Sequence, residues 1–300
     1  MTKVCHITSV HMRYDVRIFE KECKSLAKAG YSVTLIVNDD KPDEILNDVN
    51  IISTGYVPRN RLQRIVLSKR KIYKTALKQN ADLYHFHDPE LLPVGKKLKK
   101  HGKKVIFDSH EDVSKQIINK TWIPKPLRKL VSKLYYCYEK NNVSKLDAVI
   151  SVTPQIVKRF EQYGKAIMIT NYPIVDKKQK LIRQPEAYIS FAGGINASWC
   201  HDKIIQAISK IDGIKYLLAG SADAKYLSYL KTIDGWDKVE YLGIIPHGEV
   251  KKLYNKTLIG VALNYSNQVK GIGTLGNTKL FEFMQHKIPV VCTDYKLWKE

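Results

Sequence analysis

The sequence predicts an α/β protein made of two doubly wound domains, each built on a mostly parallel sheet. Short runs of apolar, largely β-branched residues alternate with segments in which apolar residues recur at helical spacing. This alternation is typical of parallel strands joined by crossover helices. It is interrupted once, between Asn171 and Pro185, and then starts again. A chain of 300 residues is long enough for two domains that each bury a core.

The first half of the chain gives the clearer pattern. Strands are expected at Val4–Val10, Ser32–Val37, Val49–Thr54, Asp82–Phe86, Lys104–Asp108, Ala148–Val152 and Ala166–Thr170. Helices are expected at Val16–Ala29, Leu62–Gln79, Glu90–Lys100, Pro126–Ser144 and Pro154–Gln162. Gly30 and Gly102 stand where helix C-termini favour glycine, and Pro154 stands in a first helical turn.

The interruption is polar and contains two prolines, so we interpret it as an interdomain linker. The predicted boundaries are residues 1–172 for the first domain, 173–186 for the linker and 187–300 for the second domain. Strands of the second domain are expected at Tyr188–Ala192, Lys215–Ala219, Lys238–Tyr241, Ile259–Leu263 and Pro289–Cys292. Its helices are expected at Asp202–Ile211, Ala222–Thr232, Gly248–Asn255 and Asn277–His286.

Composition is that of a globular protein. Hydrophobic residues make up 44% of the chain and aromatic residues 10%, which excludes a disordered chain. No apolar run approaches the roughly 20 residues that cross a bilayer, and Met1 leads directly into a strand-like segment without a signal-peptide pattern. The five cysteines are scattered, which indicates reduced thiols and argues against a cysteine zinc site. We therefore expect a cytoplasmic protein.

The formal net charge of +21 is the strongest compositional feature. Its basic residues are concentrated in Arg59–Lys78, Lys96–Lys104 and Lys125–Lys133. Such clusters bind nucleic acid, anionic lipid or phosphorylated substrates, or are simply solvated helix faces. No nucleic-acid-binding motif accompanies the charge, so no nucleic-acid partner is expected.

Residues 271–294, "GIGTLGNTKLFEFMQHKIPVVCTD", combine a glycine-rich loop with a helix. Glycines let the backbone approach a ligand closely, and a helix that begins near Asn277 offers unpaired N–H groups to an anion. The expected apolar stripe of this helix is Leu280, Phe281 and Met284. Glu282 then lies on another face, one turn behind a phosphate-sized site, where it can accept hydrogen bonds from ribose hydroxyls. The alternative is a solvated surface glutamate.

Polar residues also follow two strands of the first domain, in "YHFHDPELL" and "FDSHED". These residues are His87, Asp88, His110, Glu111 and Asp112. Because ligands bind beyond the carboxyl ends of parallel strands, they are candidates for a metal site or for an acid/base cluster around a hydroxylated substrate. The histidines lack i, i+4 helical spacing and no D-x-D motif occurs, which disfavours metal. His85 lies within its strand and is interpreted as a packed core histidine.

Five stretches occur in order along nearly the whole chain: "VRIFEKECKSLAKAGYSVTLI", "HFHDPELLPVGKKLK", "VIFDSHED", "FAGGI" and "GNTKLFEFMQHKIPVVCTD". Together they resemble the family 4 glycosyltransferases of bacterial capsule and exopolysaccharide synthesis. The resemblance implies a GT-B architecture, with two Rossmann-like domains facing a cleft and the nucleotide-sugar donor held mainly by the second. It also implies metal-independent transfer with retention of anomeric configuration, without a cofactor other than the donor substrate.

The resemblance assigns roles to residues of this chain. Glu282 would bind the donor ribose, residues 273–276 would lie along the diphosphate and sugar, and His110 would lie near the transferred sugar. The candidate donor-binding residues are Gly193, Gly194, Lys203, Lys270, Gly273, Thr274, Leu275, Gly276, Asn277 and Glu282. The candidate catalytic residues are His110, Asp88 and Glu111. The candidate residues of the acceptor or phosphate side are Arg13, Asp15, Arg17 and His87.

The chain departs from the family pattern at several positions. Thr274 stands where a glutamate that contacts the sugar is frequent, and Trp199 stands where an arginine is common. Lys203 or Lys270 would then supply the charge that offsets the diphosphate. The segment "VHMRYDVRIF" replaces a glycine-rich loop; there Arg13 and Arg17 would face a phosphate or an acceptor, or Asp15 and Arg17 would pair near the helix start.

The family normally continues beyond "VVCTDYKLWKE", so the second domain is expected to be incomplete at its C-terminus. The predicted function is retaining sugar transfer from a nucleotide-diphospho-sugar to a hydroxyl acceptor in capsule, exopolysaccharide or other surface-glycan synthesis. Two alternatives stay open: a nucleotide-sugar 2-epimerase of the same fold, and a degenerate, non-catalytic transferase that docks on a membrane or a partner. Donor nucleotide and sugar are not distinguished by the sequence.

A lipid-linked or glycan acceptor would place the protein at the inner face of the plasma membrane as a peripheral protein. The segment "IPKPLRKLVSKLYYCYEK" sets apolar residues at helical spacing beside lysines and arginine. That pattern suits a helix lying on an anionic membrane surface. The alternative is an ordinary amphipathic helix packed on the sheet.

Overall fold

The computed structural model describes residues 1–120, 123–174, 183–265, 271, 273 and 277–299. The chain divides into two compact units, Met1–Asn171 and Tyr172–Glu300. Each unit is an α/β structure built around one sheet. Residues 183–186 already belong to the second unit, because the Gln184 and Glu186 N–H groups donate to the Asn255 and Lys256 carbonyls. The central part of the predicted linker, residues 175–182, lies outside the described residues.

Within its described residues, the first unit forms one eight-stranded sheet in the order β3-β4-β2-β1-β5-β6-β7-β8. Its strands are β1 (Lys3–Ile7), β2 (Ser32–Val37), β3 (Glu44–Leu46), β4 (Val49–Ser53), β5 (Leu83–Phe86), β6 (Lys104–Ser109), β7 (Ala148–Ser151) and β8 (Ala166–Met168). All neighbours are parallel except β3, which pairs antiparallel with β4. Parallel neighbours align their carboxyl ends along one edge of the sheet.

Six helical segments connect these strands within the described residues. They are α1 (π-helical over Val16–Cys23, α-helical over Lys24–Lys28), α2 (Arg61–Gln63, π-helical Arg64–Ser68, Lys69–Gln79), α3 (3-10 turn Pro89–Leu91, then Leu92–Lys100), α4 (Val113–Asn119), α5 (Lys125–Val143) and α6 (Pro154–Glu161). Gly30 and Gly102 follow α1 and α3 with φ of 88° and 73°. These values confirm the left-handed C-terminal residues that the sequence predicts.

The second unit has a five-stranded parallel sheet in the order β11-β10-β9-β12-β13 among its described residues. Its strands are β9 (Tyr188–Ala192), β10 (Lys215–Ala219), β11 (Val239–Gly243), β12 (Thr257–Ala262) and β13 (Val290–Cys292). Its helices are a 3-10 turn at Ala197–Trp199, α7 (His201–Ile208), α8 (Ala224–Leu230), a 3-10 turn at Trp236–Lys238, α9 (His247–Lys256), α10 (Thr278–Gln285) and α11 (Lys296–Lys299). The order is that of a doubly wound sheet.

Two elements of the first unit are absent from the sequence prediction. Strand β3 is three residues long and joins β4 through Asn47 and Asp48, whose φ values are 51° and 61°. Two consecutive left-handed residues make the tight hairpin turn that suits twisted antiparallel strands. Helix α4 begins after Asp112, whose carboxylate accepts a hydrogen bond from the Lys115 N–H. Both elements are too short to give a clear periodic pattern.

The predicted apolar stripe of α10, Leu280, Phe281 and Met284, is wrong at Met284. Phe283 is the fully buried residue of this helix, and it packs with Tyr254 at a ring-centroid distance of 5.1 Å. Met284 is 67% exposed. The side chains of Lys279 and Glu282 are therefore on the flanks of the buried face, where they border the carboxyl edge of the sheet.

Two glycines hold the carboxyl ends of β9 and β10 against each other. Gly193 donates its N–H to the Ala219 carbonyl at 2.9 Å, and Gly220 has a φ of 139°. A Cβ atom on Gly220 would overlap the backbone carbonyl of Gly193. No side chain can move to relieve that overlap, because both partners are main chain. Glycine is thus required where these two strands end.

We expect Gly220→Ala to destabilise the protein by about 2 kcal/mol or more, through steric overlap and an unfavourable φ. Gly248 is the matched control. It lies in α9 without a positive φ and has open space around its Cβ position, so Gly248→Ala should raise stability by about 0.5–1 kcal/mol. Urea unfolding of the two variants measures the difference. Equal stabilities would contradict the backbone contact.

Candidate functional site

The polar residues after β5 and β6 meet at the carboxyl edge of the first sheet. β5 and β6 are parallel neighbours, as the strand-end prediction requires. The rings of His87 and His110 lie with centroids 5.8 Å apart. Between them lies Asp108, a residue of β6 that the sequence analysis did not single out. Asp108 is fully buried, and its Oδ2 atom is 3.1 Å from His110 Nε2 and 3.4 Å from His87 Nδ1.

Arg17 holds Asp108 in place. Its Nη2 atom donates to Oδ1 at 3.0 Å and to Oδ2 at 2.8 Å, and its Nε atom lies 3.0 Å from Oδ2. Burial acts to raise the pKa of Asp108, but hydrogen bonds and the charges of His110 and His87 hold it well below its ordinary value. The carboxylate is therefore ionised and available to fix the two imidazoles.

His110 turns its Nε2 edge toward this ion pair, with Arg17 Nε 3.2 Å away. The ring is 22% exposed, and its Nδ1 atom has no hydrogen-bond partner among the described residues. The histidine is thus anchored on one edge and open on the other. A group in this position can contact a sugar hydroxyl or stabilise a developing charge.

The predicted acid cluster is only partly assembled. Asp88 is buried, and its Oδ2 atom accepts hydrogen bonds from the Thr8 and Ser9 hydroxyls and the Ser9 N–H, which fixes the loop after β1. Glu111 is exposed and accepts a hydrogen bond from Gln116 Nε2 at 2.6 Å. Asp112 caps α4. These three carboxylates therefore stabilise local structure, and Asp108 lies at the centre of the cluster.

The residues predicted for the acceptor or phosphate side have structural partners. All five N–H groups of Arg13 are used within the first unit, on Asp39, on Glu44 and on the Lys41 and Pro42 carbonyls. This leaves no donor for a phosphate. Its function here is to hold the loop between β2 and β3.

Asp15 does not form the predicted side-chain pair with Arg17. Its Oδ1 atom accepts hydrogen bonds from the Arg17 and Ile18 N–H groups and so begins helix α1. Its Oδ2 atom is 3.3 Å from His11 Nδ1. Burial acts to raise the pKa of Asp15, but the hydrogen bonds from His11 and from the helix N–H groups lower it to about 2. The same contact with Asp15 raises the pKa of His11.

The second unit has a cavity of about 410 Å³ beyond the carboxyl ends of β9 and β10. It is lined by Ala192, Gly193, Ala219, Gly220, Ser221, Ile244, Ile245, Val250, Thr278, Lys279 and Glu282. Gly193 and Glu282, two of the predicted donor-binding residues, thus border one cavity. Gly194 and Asn277 flank lining residues in the chain. Doubly wound sheets bind ligands at this edge.

Glu282 reaches the cavity from the middle of α10. Its Oε2 atom accepts a hydrogen bond at 2.8 Å from the hydroxyl of Tyr254, a buried residue of α9. The Oε1 atom has no hydrogen-bond partner among the described residues. One oxygen is therefore positioned by the protein and the other is available to a ligand.

Lys279 is the cation of this cavity, and the sequence analysis did not identify it. Its Nζ atom lies 4.2 Å from the ring centroid of Trp199 and 4.7 Å from that of Phe191. A Cβ atom on Gly193 would be 2.5 Å from the ammonium, so the lysine would have to leave this position if residue 193 carried a side chain. Burial lowers the pKa of Lys279, while the charge of Glu282 opposes this shift. The sequence signal that could have identified Lys279 is its place three residues, about one helical turn, before Glu282.

Of the two cations predicted for the donor site, Lys203 falls within the described residues, and it lies away from this cavity. Lys203 is 68% exposed, lies 3.7 Å from Asp202 and is not among the lining residues. Gly273 has a φ of 84° and packs against Tyr295. Lys270, Thr274, Leu275 and Gly276 fall outside the described residues. Asn277 begins α10 by accepting a hydrogen bond from the Lys279 N–H, and its buried Nδ2 atom has no partner among the described residues.

Comparisons with known proteins agree with this architecture. The sequence model of Glycosyltransferase Family 4 matches residues 17–176. No sequence of a curated protein matches the chain closely enough to be a relative.

Solved glycosyltransferases are similar in structure along almost the whole chain. Sucrose-phosphate synthase from Thermosynechococcus elongatus superposes with a TM-score of 0.67 at 16% identity, over 98% of this chain and 82% of its own. Anabaena Alr3699/HepE, solved with UDP and glucose, gives 0.68 at 12% identity, over 98% and 81%. The catalytic domain of starch synthase IV from Arabidopsis thaliana, bound to ADP and acarbose, gives 0.63 at 12%, over 98% and 83%.

These likenesses show the GT-B fold, and the match to the family model covers more than half of the chain. The protein is a glycosyltransferase that belongs to Glycosyltransferase Family 4.

Proposed function

We propose that the protein transfers a sugar, with retention of configuration, from a nucleotide-diphospho-sugar to a hydroxyl group of an acceptor in capsule, exopolysaccharide or other surface-glycan synthesis. The observation that carries this proposal is the cavity of the second unit, which is lined by a largely desolvated lysine and a positioned glutamate three residues apart on helix α10. Solved relatives of the fold contain UDP or ADP. The positive lysine suits the diphosphate, and the glutamate suits the hydroxyl groups of the nucleoside.

Lys279 would bind the diphosphate. Its ammonium is buried against two aromatic rings, and within the described part of the chain no carboxylate forms an ion pair with it. Burial disfavours the charged form of Lys279 and the charge of Glu282 opposes this effect; a bound diphosphate would supply further negative charge. The N–H groups at the start of α10 would add further donors.

Glu282 would bind the ribose. The Tyr254 hydroxyl fixes Oε2 and leaves Oε1 for ribose hydroxyl groups. During transfer, Lys279 and the start of α10 would stabilise negative charge on the departing phosphate. The acceptor would attack the face that the nucleotide leaves, and the departing oxygen would take the acceptor proton. This mechanism uses no cofactor and no metal ion on the diphosphate.

Lys279→Ala and Glu282→Ala should each weaken binding of a nucleoside diphosphate by about 1.5–3 kcal/mol, because each removes a charge-assisted contact. Calorimetric titration with UDP, GDP and ADP measures the affinity and identifies the preferred base. Lys210→Ala is the control, since this exposed lysine follows the far end of α7. Wild-type affinity in both cavity variants would refute the donor site.

His110 would orient the transferred sugar or stabilise the positive charge that develops on it. Asp108 and Arg17 fix its Nε2 edge, so the position of the ring depends on a buried ion pair. His110 then contributes to turnover rather than to nucleotide affinity. Asp108 acts through His110 and is a positioning residue.

His110→Ala should lower kcat by about 100-fold, the scale of a misplaced reacting group, with little change in UDP affinity. The assay follows nucleotide release and glycoside formation in buffer with EDTA, which tests metal independence at the same time. His101→Ala is the control, because His101 is exposed and its side chain hydrogen-bonds to Tyr73, away from this cluster. Near-normal turnover of His110→Ala would remove this histidine from the mechanism.

The same assay separates the alternatives. Release of nucleotide only with an acceptor indicates transfer, whereas an altered nucleotide sugar without an acceptor indicates the 2-epimerase. Binding of UDP without either product indicates a degenerate transferase.

We also propose that the protein works on a lipid-linked acceptor and docks on an anionic membrane through helix α5. Leu127, Leu130, Leu134 and Tyr138 repeat at helical spacing and are 41–62% exposed, whereas Glu139 and Val143 face the interior. The exposed stripe differs from an ordinary amphipathic helix, whose apolar residues pack on the sheet. Within the described residues, no helix combines the length and apolar content needed to cross a membrane.

Basic residues surround this stripe and recur on a second helix. Lys125, Lys129 and Lys133 are exposed on α5. On α2, exposed Leu62 and Val66 accompany a cavity of about 560 Å³ whose walls include Lys69, Arg70, Lys74 and Lys97. Apolar side chains edged by basic residues suit the headgroup region of an anionic bilayer.

Liposome co-sedimentation should show binding to vesicles with anionic lipid that falls steeply with salt, and little binding to neutral vesicles. The triple change of Lys125, Lys129 and Lys133 to Gln should weaken binding by about 1 kcal/mol per lysine. The same change at Lys210, Lys225 and Lys231, which are exposed in the second unit, is the control. Binding that ignores lipid charge would remove the membrane from the proposal.

A further inference from the structure

Three histidines and a glutamate meet beneath helix α1. The β1–β5 register pairs His6 with His85, and His87 follows two residues later, so all three point to the same face of the sheet. Glu22 approaches that face from the π-helical part of α1. The histidines are buried, and one nitrogen or oxygen atom of each of the four side chains lies within 4.8 Å of the others.

The separations of three of these atoms are those of ligands around one ion. His6 Nδ1 and His87 Nε2 are 3.0 Å apart, and each is 3.8 Å from Glu22 Oε2. The nearest point equidistant from three atoms with these separations lies about 2.1 Å from each, which matches the bond lengths of zinc to imidazole nitrogen and carboxylate oxygen. His85 supplies the fourth side chain.

The remaining atoms of two ligands are held in the way metal ligands require. His87 Nδ1 lies 3.4 Å from the carboxylate of Asp108, which leaves Nε2, 3.0 Å from His6 Nδ1, as the atom that faces the cluster. Arg17 Nε is 3.1 Å from Glu22 Oε1, which leaves Oε2 toward the histidines. A carboxylate behind a histidine fixes its tautomer and raises its basicity as a ligand.

The cluster is poorly satisfied without a cation. His6 Nε2, His85 Nε2 and Glu22 Oε2 are buried and lack hydrogen-bond partners within the described residues, and Glu22 Oε1 has only its ion pair with Arg17. A cation bound by these atoms would satisfy them.

We propose that His6, Glu22, His85 and His87 bind one divalent transition-metal ion, with zinc as the representative, in a closed site that ties helix α1 to the first sheet. Imidazole and carboxylate ligands suit zinc and its neighbours in the first transition row. Four protein ligands leave no open position, so the ion is structural. It does not take part in the transfer, which stays independent of added metal.

The neighbouring group of His87, Asp108 and His110 also brings three candidate ligand atoms together. Asp108 there already receives hydrogen bonds from two nitrogens of Arg17. A divalent cation on the same carboxylate would lie against the guanidinium. The four-residue cluster is therefore the better site.

The test begins with the full chain purified without a histidine tag. Mass spectrometry of the metals should find about one zinc per chain, or the chain stripped with dipicolinate should take up one equivalent when zinc is added. Zinc should raise the Tm of the stripped chain by about 5 °C at saturating concentration. Cobalt in place of zinc should give visible absorption bands of a nitrogen- and oxygen-ligated ion.

Glu22→Gln keeps the shape of the side chain and removes its charge, and His6→Gln is a second variant in case the first fails to fold. Each should lower metal content below about one fifth of an equivalent and abolish the Tm rise, as expected when one of four ligands is lost. His201→Gln is the control, because His201 is a buried histidine of the second unit that pairs with Tyr216. It should bind metal normally.

Two results overturn the proposal. Absence of both bound zinc and a Tm rise would mean that protons alone satisfy the cluster, with His6 donating to His87. One equivalent of metal that persists in Glu22→Gln and His6→Gln would locate the ion elsewhere in the chain.

Discussion

A buried ion pair joins helix α1 to strand β6. The guanidinium of Arg17 donates to both oxygens of Asp108, and the same carboxylate contacts His87 and His110. Breaking a buried pair by removing one partner typically costs about 3–5 kcal/mol, because the other charge is left without compensation. The pair therefore stabilises the packing of α1, and it also fixes the imidazole that is open to a ligand. The packing of α1 and the position of His110 thus both depend on the carboxylate of Asp108.

The second unit also positions a charged side chain at the carboxyl edge of its sheet, but by different contacts. Its carboxyl edge is built from glycine backbone, and the space left by the missing side chain of Gly193 is occupied by the ammonium of Lys279. Aromatic rings, rather than a carboxylate, hold this cation. Its charge therefore stays available to a ligand. A carboxylate partner would have competed with any bound phosphate.

The sequence predicted the features that depend on regular patterns. Strands in both units lie within a few residues of their expected bounds, and the strand-end rule correctly put His87 next to His110. Asp108 was missed because it lies inside an apolar strand, where its neighbours indicate core rather than site. Lys279 was missed because the helix stripe was drawn through Met284 instead of Phe283. A shift of one residue rotates a helix by about 100°, enough to exchange flank and core.

The π-helical winding of Val16–Cys23 has no sequence signature, yet it determines which side chains share the buried face. Arg17 and Glu22 are five residues apart and are in contact. In a regular α-helix, positions five apart differ by about 140° around the axis, so both could not face the sheet. A regular α-helix with the same length, cap and apolar residues would therefore turn either Arg17 or Glu22 out into water. A one-residue deletion between Arg17 and Glu22 would likewise rotate one part of the helix relative to the other. It would change the contacts of the helix with strands that are distant in the sequence.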